Sequence, residues 1–323
     1  MKAFLLLALV LLPLARAAAQ SSPYRVFRSL AEAQAAPTDS VLSLDLSGQG
    51  LASVPPGVFK LKALRQLRLA KNKLTALSAE IGQLDSLELL DVSYNELTAL
   101  PAALGRLSRL QLLEAGRNAI QHIPAELAAL QQLRKLRIER NRLERIPEPF
   151  LALESLEELA LVSNQIKRIP EGVVRWRNLE ELNLSQNELT EIPPALCQLP
   201  RLQYLDLEKN QIGRLPACID QLTELQWLFL GENRLDSVPV AVFGLTGLQR
   251  LDLSRNRLQG LPPGLSRLAD LRVLYLNNNR LAALPDDVLE LPRLERLNLR
   301  DNPLPADTRD RLKAMYPRVN ITL

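Results

Sequence analysis

Aromatic residues are scarce in this sequence: two Trp, five Tyr and six Phe make up 4% of its 323 residues. Large rings dominate the packing of an irregular core, so the interior here has to come from aliphatic side chains, many of them alike. Histidine is scarcer still. His122 is alone, and any Ser/His or Cys/His nucleophile pair would have to use it, although no pattern of partner residues surrounds it. Two cysteines, Cys197 and Cys218, and one histidine at no ligand spacing exclude a structural zinc site. The sequence requires no cofactor and no metal, and no catalysis is expected of it. A charge excess is also missing. Net charge is +4, of which Lys2 and Arg16 lie in the first nineteen residues, so the remainder is close to balanced. That removes the phosphate-directed attraction on which nucleic-acid binding rests, and no nucleic-acid partner is expected.

One apolar run stands out, and it is short. Residues 3–14 follow Lys2 and precede Ala17-Ala18-Ala19, a small-residue cleavage site before Gln20. This three-part layout predicts a secretory signal peptide over 1–19. A membrane span needs about 20 apolar residues, so after cleavage no membrane insertion is expected. The predicted location is secreted, periplasmic or cell surface, and the mature chain is expected to act as a monomer.

What the sequence has in abundance is periodicity. Asn occurs at 72, 95, 118, 141, 164, 187, 210, 233, 256, 279 and 302, every step 23 residues, and Gln49 takes the place one step earlier. Apolar residues recur eight, five and three positions before each Asn and two, five, nine and twelve after it. Around Asn187 these are Leu179, Leu182, Leu184, Leu189, Ile192, Leu196 and Leu199. Pro follows the second apolar residue after Asn in ten of the first eleven units, Ser78 being the exception. The L-x-L pair alternates with period two and predicts a short strand with one face inward. Pro, which fixes φ and donates no hydrogen bond, suits the return that follows. One such unit cannot bury its leucines alone, so units must stack and the ends must be capped.

These residues, L-x-x-L-x-L-x-x-N-x-L-x-x-[LIV]-P, resemble the leucine-rich repeat family, in the 23-residue class found in bacterial exported repeat proteins and Ras-group intracellular scaffolds. The resemblance implies an α/β solenoid: a curved arc with a parallel β-sheet on its concave face and short helical or extended returns on its convex face. The expected organisation is a signal peptide at 1–19, an N-terminal helical cap at 20–40, twelve repeats at 41–305, and a cap helix and strand at 306–323. At the front, Ser29 and Glu32 form a capping box, with Phe27, Leu30 and Ala31 on the buried face. At the back, Asp307 caps a helix that buries Leu312, Met315 and Tyr316. Leu184, Leu207 and Leu253 are predicted to be fully buried.

The family generally binds proteins on the concave surface, so the resemblance implies an exported binding module with a protein partner there. The alternatives are a carbohydrate or cell-envelope polymer, or an intracellular signalling scaffold if the leader is not one. The residues six and four before each Asn face the concavity. Among them, Tyr204, Trp227, Phe229 and Tyr275 gather in one stretch, predicting a solvent-accessible aromatic patch edged by Arg250 and Arg234. Arg234, Arg257 and Arg280 stack just after Asn and complete the predicted partner-binding set. The other reading is that the rings cover one another and the arginines form a solvated rim. In the same face Arg68, Asp91, Glu114 and Arg137 follow one another. Adjacent carboxylates suggest a glycosidase pair, but flanking arginines make a neutralised charge ladder the expected arrangement. Cys197 and Cys218 fall beside the core positions Leu196 and Ile219 in adjacent units, either bridged or as two buried thiols.

Overall fold

A computed structural model describes residues 24–315 and 319–323. The predicted signal peptide, Tyr316 and Pro317 lie outside the described residues, and the Met315 side chain is likewise not described. Among the described residues, fourteen parallel strands form one open sheet in sequence order, from β1 (Val26–Phe27) to β14 (Asn320–Thr322). The chain is a leucine-rich repeat solenoid. Three-residue strands from β2 (Ser43–Asp45) to β13 (Arg296–Asn298) pair in a register of 23 residues. The middle residue of each, such as Leu182 or Leu205, points into the core, and Leu184, Leu207 and Leu253 are fully buried. No helix among the described residues is long and apolar enough to cross a membrane.

Each recurring Asn fastens one unit to the one before. The Asn187 Nδ2 donates to Leu161 O and Leu184 O, both at 3.0 Å, and its Oδ1 accepts from Ile166 N at 3.0 Å. Its partners are thus 26, 3 and 21 residues upstream, and the pattern repeats along the solenoid, as at Asn72 and Asn256. The residue just before each Asn adopts φ of 52–58°, the left-handed region, although none of these eleven is Gly. In the first unit Gly48 fills the position. A left-handed turn is unfavourable for L side chains, but here it directs the backbone N–H to the next unit, as from Arg140 N to Val162 O at 2.7 Å.

The convex returns are short 3-10 turns. Pro147, Pro170 and Pro193 occupy their N-caps with φ between −66° and −75°, values the pyrrolidine ring imposes anyway. Where Pro is missing, Ser78 takes over and its side chain accepts from Glu80 N at 3.2 Å. Trp176 replaces a leucine in one return, is fully buried, and donates its indole N–H to Phe150 O at 2.8 Å. Cys197 and Cys218 are joined by a disulfide, their Cα atoms 5.9 Å apart, which ties two consecutive returns together.

The caps differ from expectation in detail. Helix α1 (Leu30–Gln34) starts at Ser29, whose side chain accepts from Glu32 N at 3.1 Å. Glu32 reaches back to Arg28 N instead of Ser29 N, so the capping box is not reciprocal. Ala33 is buried and Ala31 exposed, because the helix is short and turns its Ala33 side to the first repeat. Strand β1, which extends the sheet ahead of the repeats, was not expected. At the other end α2 (Ala306–Met315) buries Leu312, but it begins at Ala306, so Asp307 lies inside its first turn and does not cap it.

Candidate functional site

On the concave face, β9 (Tyr204–Asp206), β10 (Trp227–Phe229), β11 (Arg250–Asp252) and β12 (Val273–Tyr275) run side by side. Strand alternation turns the first and third residue of each outward. The strands bring Tyr204, Trp227, Phe229, Arg250 and Tyr275 together. Contacts run diagonally, from the first position of one strand to the third position of its neighbour. Tyr204 meets Phe229 with ring centroids 5.4 Å apart, and Trp227 at 6.4 Å. The Arg250 guanidinium stands 5.0 Å from both the Phe229 and the Tyr275 ring centres, a cation held between two aromatic faces. Arg296 closes the row by donating to the Tyr275 hydroxyl at 3.2 Å.

Two of the four rings are not accessible. Tyr204 and Phe229 are each only 6% exposed, which corrects the expectation of an open patch of four. The reason is the packing between strands: Tyr204 lies against Phe229 on the diagonal and beside Trp227 in register, and the Arg250 guanidinium stands over the Phe229 ring. Trp227, Arg250 and Tyr275 remain half-buried, so they form the surface and Tyr204 and Phe229 its foundation. Arg250 lies inside the cluster, not at its border. Arg234, Arg257 and Arg280 are exposed along the edge that follows the strands, and no ion pair or ring contact joins them to the aromatics.

Carboxylates surround the rings, a feature that the aromatic pattern did not reveal. Asp206 accepts from Tyr204 Oη at 3.3 Å, Asn183 Nδ2 at 3.2 Å and Glu208 N at 3.0 Å. Burial pushes its carboxyl up to about 6. Burial likewise raises Asp252, which accepts from both the amide and the hydroxyl of Ser254. The Tyr204 phenol is raised by burial and then by Asp206 beside it.

Farther along the face, the charge ladder is only partly as expected. Arg137 neutralises Glu114 (2.7 Å) and also binds Glu158 (2.6 Å) in the next strand, where Lys135 joins at 3.2 Å. Burial opposes ionisation of Glu158, and the Arg137 guanidinium more than offsets it, holding the carboxyl below its ordinary range. Arg68 forms no ion pair with Asp91. It donates to Gln66 Oε1, and Asp91 accepts from Ser93 instead. Glu114 is raised by burial and then by Asp91, yet it is bound to Arg137. Among the described residues no group of His, Cys, Asp or Glu is placed to hold a metal ion.

The leucine rich repeat family model matches residues 39–97, 86–143, 154–212, 223–281 and 246–304. No curated protein matches the sequence. Among solved structures the chain is similar to a leucine-rich repeat protein of Leptospira interrogans, with 27% identity and a TM-score of 0.55, covering 93% of this chain and all of that one. It is also similar to a plant peptide hormone receptor solved in complex with its hormone, with 31% identity and a TM-score of 0.72 over 82% of this chain. This chain spans 44% of that receptor's length. An internalin of Listeria monocytogenes shares the fold at 23% identity and a TM-score of 0.70, covering 91% of this chain and 88% of that one. The matched segments cover most of the chain, and the Asn ladder and parallel sheet are those of the repeat: the protein belongs to the leucine-rich repeat family.

Proposed function

We propose that this protein is an exported, non-enzymatic binding module that holds a protein partner on its concave face. The observation that carries this reading is the cluster over β10 to β12. Trp227, Arg250 and Tyr275 present half-open faces that are already fixed by Tyr204, Phe229 and Arg296 beneath and beside them. Side chains locked before binding lose little entropy on binding, and Trp, Tyr and Arg are the residues that dominate protein interfaces. The surrounding carboxylates and arginines supply both signs of charge, which favours a polypeptide over an apolar ligand. The plant receptor to which the chain is similar was solved with a peptide hormone. Export rests on the leader at 1–19, and the Cys197–Cys218 bridge is in keeping with an oxidising compartment.

The test begins with capture of a partner by the mature chain, followed by affinity measurements on that partner. Trp227→Ala and Tyr275→Ala should weaken binding, while Arg175→Ala on the convex side should not. A glycan array run in parallel addresses carbohydrate, the second reading favoured by the half-open Trp227 and Tyr275 rings. Binding there with no protein captured would replace the proposal.

A further inference from the structure

The edge that follows the strands carries a second feature, well away from the aromatic cluster. In the units of Asn118, Asn141 and Asn164, the exposed loop positions hold Arg117, Arg140, Arg142, Arg145, Lys167 and Arg168, six cations against the three nearby carboxylates Glu139, Glu144 and Glu148. Among the described residues none of the six cations has an ion-pair partner. On the opposite edge the protein pairs such groups as a rule, each cation meeting a carboxylate 23 residues away: Arg65 with Glu88 at 2.8 Å, Arg134 with Glu157 at 2.8 Å, and Arg272 with Glu295 at 2.6 Å. The unpaired band is a consequence of sequence. A separation of 23 residues sets Arg117 beside Arg140 and Arg145 beside Arg168, like charge on like charge, about 4.8 Å apart by strand spacing.

Two further details give the band a shape. Arg117 and Arg140 sit at left-handed positions, φ 55° and 53°, in the turn that follows each strand. One unit earlier, at the same position, Tyr94 is 45% exposed, and its ring is attended by Lys71 at 5.9 Å and Arg117 at 4.7 Å. Below these lies an open groove of about 720 Å³. Its lining combines Arg142, Arg145 and His122 with the carboxylates Glu144 and Glu148, and Ile123, Pro147 and Pro149 add apolar surface.

We infer that this edge is a binding site for an acidic polypeptide segment. Repulsion among stacked arginines is a standing cost that an acidic ligand removes, and guanidinium groups take carboxylates in two-point hydrogen bonds. A polypeptide suits the groove better than an acidic polysaccharide does. The Tyr94 ring is already attended by two cations that compete with a sugar for its faces, whereas Ile123 and the two prolines can receive apolar side chains. The site does not depend on the concave cluster, and Trp227→Ala should leave it intact.

The test is fluorescence anisotropy of a labelled Glu-Ala repeat peptide titrated with the mature, disulfide-intact chain at low and at physiological salt. Arg140→Glu/Arg142→Glu should weaken binding by about tenfold or more and flatten its salt dependence. Arg272→Glu/Arg293→Glu, which changes net charge equally on the opposite edge, should alter affinity less than about twofold. Circular dichroism and melting check that both variants are folded. Should the first melt early, Arg145→Gln/Arg168→Gln carries the same test. Equal losses in both double variants, or no saturable binding at low salt, would overturn the assignment. So would a heparin oligosaccharide of equal charge that binds more tightly than the peptide.

Discussion

Replacing Asn187 by Ala is the substitution whose cost can be followed group by group. Four hydrogen bonds disappear, yet their partners fare differently. Leu161 O keeps the Asn164 amide at 3.0 Å, Leu184 O keeps Asn210 at 3.0 Å, and Ser185 O keeps the Ser163 N–H at 3.0 Å. The Ile166 N–H donates to the Asn187 Oδ1 at 3.0 Å, and it lies in a fully buried residue. One orphaned donor costs about 1–3 kcal/mol, and the three acceptors that retain a partner add a fraction of that. A total of roughly 2–4 kcal/mol is therefore expected. Asn187→Asp should not rescue, since it restores the acceptor for Ile166 but sets a carboxylate against three carbonyls. Urea unfolding monitored by circular dichroism measures the loss, and hydrogen exchange at the Ile166 amide localises it. Asn187→Ala with unchanged stability and unchanged Ile166 protection would refute the ladder argument.

Three other expectations follow from the same packing. Trp176→Ala should destabilise by about 3–5 kcal/mol, since a fully buried ring and its bond to Phe150 O are both lost; Trp176→Phe, which loses chiefly the bond, should cost distinctly less by the same assay. Reduction of Cys197–Cys218 should lower stability by about 2–4 kcal/mol, read from urea midpoints with and without reductant, and Cys197→Ser/Cys218→Ser should remove the difference. Asp206, raised to about 6 in the folded state, binds more protons folded than unfolded. Its contribution to stability should therefore fall as pH rises from about 4, the ordinary value, to 6 and stay low above that. Asp206→Asn should flatten that slope in a stability-against-pH series, and an unaltered slope would show that Asp206 is not its source.

The repeats were legible because one polar residue and seven apolar ones recur without insertion, and both do work that tolerates little variety. The left-handed residue before each Asn was not legible. Lys71, Tyr94, Ser163 and Glu232 share a backbone conformation and no side-chain chemistry, since the demand is on the main chain and neighbouring units enforce it. At the candidate site, alternation correctly turned Tyr204 and Phe229 to the concave face, but exposure depends on which neighbour leans over which. That is decided by diagonal contacts between a first position and the next strand's third, invisible to a rule that reads each column alone. The same diagonal geometry let Arg137 choose Glu158 as well as Glu114, while Arg68 stayed apart from Asp91. Strand β1 went unseen because Val26–Phe27 is too short to show a period.

The central claim, that the concave cluster is a protein-binding surface, is tested most directly by measuring affinity and thermal unfolding together on Trp227→Ala. With the captured partner immobilised, the variant should bind more weakly by more than about 1 kcal/mol, while Arg175→Ala stays at parental affinity. Its melting should shift little, because Trp227 is half-open and Tyr204 keeps its contact with Phe229. Parental affinity in Trp227→Ala, or a loss of binding matched by loss of fold, would contradict the claim and make the cluster a packing feature of the sheet.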